Sequence, residues 1–113
     1  MSKFDEAIAL YESEVKKLGL TIDSAVLRAV AKSLGPSIYR DDAARVSFSN
    51  KTETDRVKNN YLIGKLGLPD GPALDSAIAA CGEAIGKSNK NQYRAIVYAW
   101  LATHLGQTAR YKA

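Results

Sequence analysis

Four leucine–glycine pairs divide this chain into segments, and they constrain its fold more than any other feature. Each pair follows a run in which apolar residues recur every three or four positions, the period of a helix buried on one side. Glycine has no Cβ, so it enters the left-handed conformation that ends a helix at little steric cost. The pairs therefore predict helix ends, and Gly86 predicts a fifth, after Cys81 and Ile85. They are Leu18-Gly19, Leu34-Gly35, Leu66-Gly67 and Leu105-Gly106.

Capping and turn residues divide the chain into five predicted helices. Asp23 and Asn50 each precede an amphipathic run, and their side chains are good caps for a helix N-terminus. Pro72 suits a first helical turn, where its missing N–H would have no partner. We therefore predict a single all-α domain, residues 1–113, in which about five helices pack as a bundle. The predicted spans are Lys3 to Leu18, Asp23 to Leu34, Lys51 to Leu66, Pro72 to Ile85 and Ser88 to Leu105.

The C-terminal predicted helix carries the largest apolar side chains, which favours a central position in the bundle. Trp100 shares its face with Tyr93 and Ile96, so we expect Trp100 in the core. Gly64, in the apolar second half of helix three, is expected to permit close approach of a neighbour. The tail from about residue 107 is expected to fray.

Residues 36–49 are the segment whose structure the sequence constrains least. Asp41 and Asp42 suit the cap of a short helical turn. Residues 45–49 alternate like a strand, but one short strand has no predicted partner. We predict a loop with one short helical turn, and a short helix or a short strand stays open as an alternative.

The composition is that of a soluble globular protein. Of the 113 residues, 46% are hydrophobic and 25% are charged, which fits one domain with one core. Cys81 is the single cysteine, and its apolar neighbours predict a buried, inert thiol. The early acidic residues do not resemble a secretory signal, and the most apolar stretch, Ala95 to Ala102, is far shorter than the roughly 20 residues that span a bilayer. We expect a cytoplasmic protein with no membrane association.

The net charge of +4 is unevenly distributed along the chain. Basic and acidic residues balance through Arg56, and the whole excess follows from Val57 onward. Lys87, Lys90 and Arg94 lie three and four residues apart, so they form one basic stripe at the start of the predicted helix five. This stripe suits an acidic protein or nucleic acid as partner. The alternative, a solvated helix face, is favoured because three charges are common on an exposed helix.

The motifs that carry catalysis or metal binding are incomplete in this chain. The run Gly82 to Ser88 resembles the end of a phosphate-binding loop, but three residues separate its glycines where that motif needs four. A helix end and a cap are favoured there. One histidine, His104, and one cysteine do not supply a zinc site. The acidic pairs suit caps and solvated helix faces better than paired-acid catalysis. They are Asp41 with Asp42, Glu53 with Asp55, and Asp70 with Asp75. We predict no catalytic, cofactor-binding or metal-binding residues, and no cofactor.

Three segments carry a resemblance to known proteins: Leu34 to Tyr39 with Asp41 to Ala43, Val57 to Leu68, and Gly86 to Arg94. They resemble a small bacterial family, domain of unknown function 2853. The resemblance covers most of the chain, since such proteins are stand-alone domains of about this length. It implies a bacterial, cytoplasmic protein and brings no assigned activity or catalytic residues.

Three functions are open from the sequence. We favour a non-enzymatic binding or interaction module. The first alternative is a nucleic-acid-binding accessory protein that uses Lys87, Lys90 and Arg94. The second is a small enzyme with a site in the 36–49 segment. The ligand, pathway and oligomeric state do not follow from the sequence.

Overall fold

Five helices in a single bundle make up the described structure. The computed structural model describes residues 3–39, 45–48, 50–86, 92–108 and 111. The helices are α1 (Lys3–Leu18), α2 (Ser24–Leu34), α3 (Lys51–Arg56), which continues directly as a π-helix (Val57–Lys65), α4 (Pro72–Ile85) and α5 (Arg94–His104). A 3₁₀ turn, Gly35–Tyr39, follows α2. The predicted all-α fold is confirmed, and so are both predicted caps. Asp23 accepts a hydrogen bond from the backbone N–H of Ala25, and Asn50 accepts one from Thr52.

Helix α5 lies at the centre of the bundle, as predicted. It packs against α1, α2 and α4 and is buried on most of its circumference. Such a helix needs apolar residues on nearly every side, which explains the run from Ala95 to Ala102. The core also takes side chains from α1, α2, α4 and the π-helix. Its fully or almost fully buried members include Tyr11, Leu27, Val30, Leu62, Cys81, Ile96 and Leu101.

The second half of the predicted helix three is a π-helix. Its extent agrees with the prediction, but its hydrogen bonds run five residues back, as from the Leu66 N–H to the Tyr61 carbonyl at 2.8 Å. In this geometry Val57, Tyr61 and Leu66 are all buried. The prediction for Gly64 is wrong. Gly64 is exposed, and a Cβ there would meet the carbonyl oxygen of Asn59 in its own widened turn at 3.1 Å.

The predicted glycine stops are confirmed, and Gly67 shows how they work. Its φ is +68°, in the left-handed region. The next N–H, of Leu68, then turns back to donate to the Leu62 carbonyl at 3.0 Å. A carbonyl at the helix end, which would otherwise lack a partner, is thereby satisfied. Positive φ values occur at all five predicted stops: Gly19, Gly35, Gly67, Gly86 and Gly106.

We expect Gly67→Ala to destabilise the fold by about 1 kcal/mol, because alanine enters the left-handed region only at a steric cost. The matched control is Gly71→Ala. Gly71 has an extended backbone with φ 168°, and a Cβ added there would meet no atom within 4 Å. Urea unfolding of the three proteins measures the difference. A midpoint for Gly67→Ala at or above that of the parent protein would remove the capping argument.

The start of helix five differs from the prediction. Helix α5 begins at Arg94 instead of Ser88, because Gln92 and Tyr93 take part in a contact with the 45–48 segment. Arg45 and Tyr93 form an isolated antiparallel bridge, and the Val46 N–H donates to the Gln92 carbonyl at 2.8 Å. The alternating residues 45–48 therefore do have a partner, although the pairing stops short of a strand.

One prediction about the C-terminal part needs correction. Trp100 is only partly buried at the edge of the core, where its ring stacks on His104 at a centroid distance of 4.7 Å. The Tyr111 hydroxyl forms a 2.8 Å hydrogen bond with that of Tyr61, and the fraying expected from about residue 107 stays a prediction.

Candidate functional site

One face of α1, beside its buried seam, forms the first wall of a surface cleft. Ile8, Tyr11 and Val15, spaced three and four residues apart, form the buried seam of α1. Leu10 lies off that seam and is exposed, and Lys3 lies about two turns before it on the same side. The helix therefore presents apolar and cationic side chains to the solvent beside a buried tyrosine.

The second wall comes from the 3₁₀ turn and the bridge between Arg45 and Tyr93. Together the walls enclose a cleft of about 310 Å³, at the lower end of the range for small-molecule sites. We name it the tyrosine cleft. Its lining residues are Lys3, Glu6, Ala7, Leu10, Tyr11, Ile38, Tyr39, Arg45 and Tyr93.

Aromatic rings and a guanidinium form the floor of the tyrosine cleft. The rings of Tyr11 and Tyr93 lie 5.2 Å apart at 54°, a tilted arrangement that favours ring–ring attraction. The Arg45 guanidinium lies 5.3 Å from the centre of the Tyr93 ring, within range for a cation–π contact. Burial raises the pKa of Tyr11 to about 12, with smaller contributions from Tyr93 and Tyr39 and an opposing effect from Arg45. The Tyr11 hydroxyl thus stays protonated at neutral pH.

The rim of the tyrosine cleft carries two exposed apolar side chains beside the exposed Lys3 and Glu6. Leu10 is 49% exposed and Tyr39 is 45% exposed. Within the part of the chain that the structure describes, these are the large hydrophobic side chains left exposed. Both belong to the same cleft. Clustered exposed apolar groups are typical of binding surfaces, whereas scattered ones need no explanation.

Arg94 holds the wall that carries Arg45. Its guanidinium donates to the Tyr98 hydroxyl at 3.0 Å and to the Arg45 carbonyl at 3.4 Å. It also lies 3.9 Å from a carboxylate oxygen of Glu53, and its side chain is only 16% exposed. Arg94 therefore joins α5 to α3 and to the 45–48 segment, and its bond to the Arg45 carbonyl fixes the backbone that carries the Arg45 side chain.

The basic stripe predicted on helix five is not a feature of α5 as observed, because that helix begins at Arg94. Lys87 and Lys90 lie outside the described residues. Arg94 is engaged inside the fold, so a phosphate contact at this end of the molecule would depend on the two lysines. Binding of nucleic acid or of an acidic protein through these three residues stays a prediction.

The other sequence candidates occupy structural positions. Cys81 is buried against α5, and burial raises the pKa of its thiol, in agreement with the predicted inert cysteine. Gly82 lies inside α4, where a Cβ would come within 3.1 Å of the Phe48 ring. It is therefore a packing glycine, and Gly86, with φ 98°, ends the helix. His104 is exposed and stacks on Trp100 beside a recess of about 270 Å³.

Two of the three acidic pairs noted in the sequence lie within the residues that the structure describes. Lys58 lies between Asp70 and Asp75, with its ammonium nitrogen 3.1 and 3.2 Å from their carboxylates. These two acids are mostly exposed and form an ion-pair cluster on the surface. Asp41 and Asp42 lie outside the described residues. Across the described ranges, no three or more His, Cys, Asp or Glu side chains are grouped to hold a metal ion.

Sequence reasoning missed the tyrosine cleft. Its residues come from positions 3–11, 38, 39, 45 and 93, and no local motif links them. One signal was available: Leu10 is a large apolar residue outside the three- and four-residue spacing of Ile8, Tyr11 and Val15 in the first predicted helix. An apolar side chain on the polar side of an amphipathic helix suggests a second contact surface.

Comparison with known proteins found one matching family. A family model described as "Protein of unknown function (DUF2853)" matches residues 10–109. The resemblance found in the three sequence segments is thereby confirmed. No curated protein matches the chain. No helix in the described ranges combines the length and the apolar character that crossing a bilayer requires.

Proposed function

The chain belongs to the DUF2853 family of proteins of unknown function, and we propose that it is a non-enzymatic binding module whose ligand-binding surface is the tyrosine cleft. We expect it to act in the bacterial cytoplasm, as its sequence predicts. The proposal extends the interaction function favoured from the sequence by assigning it a surface.

One observation carries the proposal: the exposed Leu10 and Tyr39 lie on the rim of a cleft whose floor is aromatic and cationic. Ligand sites are concave and mostly apolar, with a few polar groups that fix orientation. The tyrosine cleft has this composition. The recess beside Trp100 has a comparable volume, but its other lining residues are Gly19, Leu20, Thr21, Thr103 and His104, with neither a cation–π pair nor an exposed large aliphatic side chain among them.

Tyr11 is unsuited to be a general base at neutral pH. A general base there needs a pKa near 7, and burial moves the pKa of Tyr11 the other way, to about 12. The protonated hydroxyl can donate a hydrogen bond to a ligand. An enzyme with a site in the 36–49 segment would have to add groups from Asp41 and Asp42, which lie outside the described residues.

A fragment screen monitored by ¹H–¹⁵N spectra tests the proposed surface. We expect weakly binding aromatic and aliphatic fragments to shift the backbone signals of residues 7–11, 38, 39 and 93. Leu10→Gln should weaken these interactions at least several-fold, because it removes an apolar rim contact. The matched control is Thr21→Gln at the rim of the recess beside Trp100, which should leave them unchanged. Shifts that gather at that recess, or that are scattered over the surface, would refute the proposed surface.

A further inference from the structure

The cations of the tyrosine cleft suggest which chemical class of ligand it takes. We infer that the cleft accepts a small ligand in which an anionic oxygen group, a carboxylate or a phosphate, is attached to an apolar body. This inference rests on the binding function proposed above. It deepens that proposal by naming the contacts. Arg45 and Lys3 would hold the anionic group of the ligand, and Leu10 and Tyr39 would contact its apolar body.

The first support is the charge of the cleft. Two cations, Lys3 and Arg45, line it with one carboxylate, that of Glu6. Within the described ranges, neither cation lies within ion-pair distance of a carboxylate. The nearby Arg28 differs, because its guanidinium pairs with the Asp5 carboxylate at 2.9 Å. Asp5 lies on α1, the helix that also carries Lys3. The cleft therefore has a positive charge that its described carboxylate does not neutralise.

The second support is the hydrogen-bonding character of the floor. The Arg45 guanidinium, 5.3 Å from the centre of the Tyr93 ring, carries five N–H donors in a planar fork. A carboxylate or phosphate accepts two parallel bonds from such a fork. The protonated Tyr11 hydroxyl is a further donor in the same floor. Donors of this kind match an anionic oxygen group better than an amine or a cation.

The third support is the apolar surface that lines the same cleft as the cations. Leu10 and Tyr39 are exposed there, and the half-buried Arg45 lies over the buried Tyr93 ring. A ligand that reaches Arg45 with its anionic group leaves its remaining body against the rim, where contact with Leu10 and Tyr39 removes apolar surface from water. The volume of about 310 Å³ has room for one aromatic ring together with its anionic group, since a cavity of roughly 150 Å³ holds benzene.

Three probes that share one ring test the inference: benzoate, phenyl phosphate and the neutral benzyl alcohol. Their affinities for the cleft are measured by ¹H–¹⁵N titration at low salt. We expect both anions to bind at least about fivefold more tightly than benzyl alcohol, since hydrogen bonds to charged groups are the stronger ones. The order of the two anions identifies which oxygen group the cleft prefers.

Variants that change one charge in the cleft test the direction in which anion affinity changes. Arg45→Gln and Lys3→Gln should each weaken binding of both anions, by about tenfold for Arg45, and should weaken binding of benzyl alcohol much less. Glu6→Gln should strengthen anion binding about two- to threefold, because a like charge is removed. Lys16→Gln is the matched control, because it changes the net charge equally from an exposed position that does not line the cleft. Lys3 is exposed, so its variant stays informative if Arg45→Gln fails to fold.

The outcomes separate this inference from the proposed function. Binding of benzyl alcohol in the cleft as tightly as the anions, or equal loss of anion affinity in Lys16→Gln and Lys3→Gln, overturns the inference and leaves a neutral binding cleft. If neither these probes nor any member of the fragment screen shifts the cleft signals, the proposed binding function itself is refuted.

Discussion

Leu101→Ala is expected to lower the free energy of unfolding by about 2–5 kcal/mol. Leu101 is fully buried on α5, the helix that three others pack against. Removing its side chain therefore leaves a cavity that the surrounding residues fill only in part. A loss of this size is a large part of the roughly 5–15 kcal/mol that stabilises a small domain. Urea unfolding followed by circular dichroism measures it.

Trp100→Ala, one residue earlier on the same helix, is the informative comparison. The sequence predicts Trp100 in the core, where its removal would cost about 3–5 kcal/mol. The structure places it at the edge, partly buried and stacked on His104. We therefore expect Trp100→Ala to destabilise the protein less than Leu101→Ala, although tryptophan is the larger side chain. The reverse order would return Trp100 to the core and contradict its position in the structure.

Stability is expected to fall steeply above pH 9–10, because buried acidic groups stay protonated in the folded protein. Burial raises the pKa of Tyr61 and of Cys81 above their ordinary values of about 10 and 8.5. Below those values both groups are protonated in the folded and unfolded chains, so their contribution is fully present. As pH rises further, only the unfolded chain releases the protons. Each group then removes about 1.4 kcal/mol of stability per pH unit until its folded-state pKa is reached.

Urea unfolding at pH 8 to 11 measures that slope. Tyr61→Phe and Cys81→Ala should each make it shallower, and the double variant should make it shallower still. Tyr61→Phe also has a cost at pH 8 of about 1–3 kcal/mol, because it removes two hydrogen bonds of the buried Tyr61 hydroxyl, to the Tyr98 carbonyl at 3.0 Å and to the Tyr111 hydroxyl at 2.8 Å. The decisive quantity is therefore the slope against pH. The same slope in parent and double variant would contradict the assignment of alkaline instability to these groups.

The helix ends were predictable because their causes are local. Asp23 and Asn50 cap with their own side chains, and Gly67 ends its helix with its own backbone. The start of α5 was not predictable in this way. Tyr93 lies outside the helix because it bridges Arg45, a residue far away in the chain.

The π-helix was also not predictable from the sequence. Over so short a stretch, apolar residues four and five apart are compatible with an ordinary α-helix. What distinguishes it is the hydrogen bond from Leu66 to Tyr61, which depends on how the segment packs. The stacked rings of Tyr61 and Tyr98, 3.9 Å apart, are part of that packing.

The candidate site was the least predictable part, because it has no motif. Tyr11 looked like any other member of the buried seam of α1, and the 36–49 segment looked like a loop. Only the tertiary fold brings Tyr11 next to Tyr93 and turns Arg45 over the Tyr93 ring. The sequence predicts a basic stripe on a helix that starts at Ser88, whereas α5 begins at Arg94.

The contact from Arg94 to the Arg45 carbonyl spans 49 residues of chain, and this has a consequence for the order of folding. Contacts between distant residues require a large loop to close, and they form slowly compared with helix turns. The tyrosine cleft is therefore complete only when α5 has docked, and a fragment that ends before Tyr93 lacks part of its floor. A ligand of the cleft binds the finished fold and not its precursors, so by mass action it should raise the melting temperature as its concentration rises.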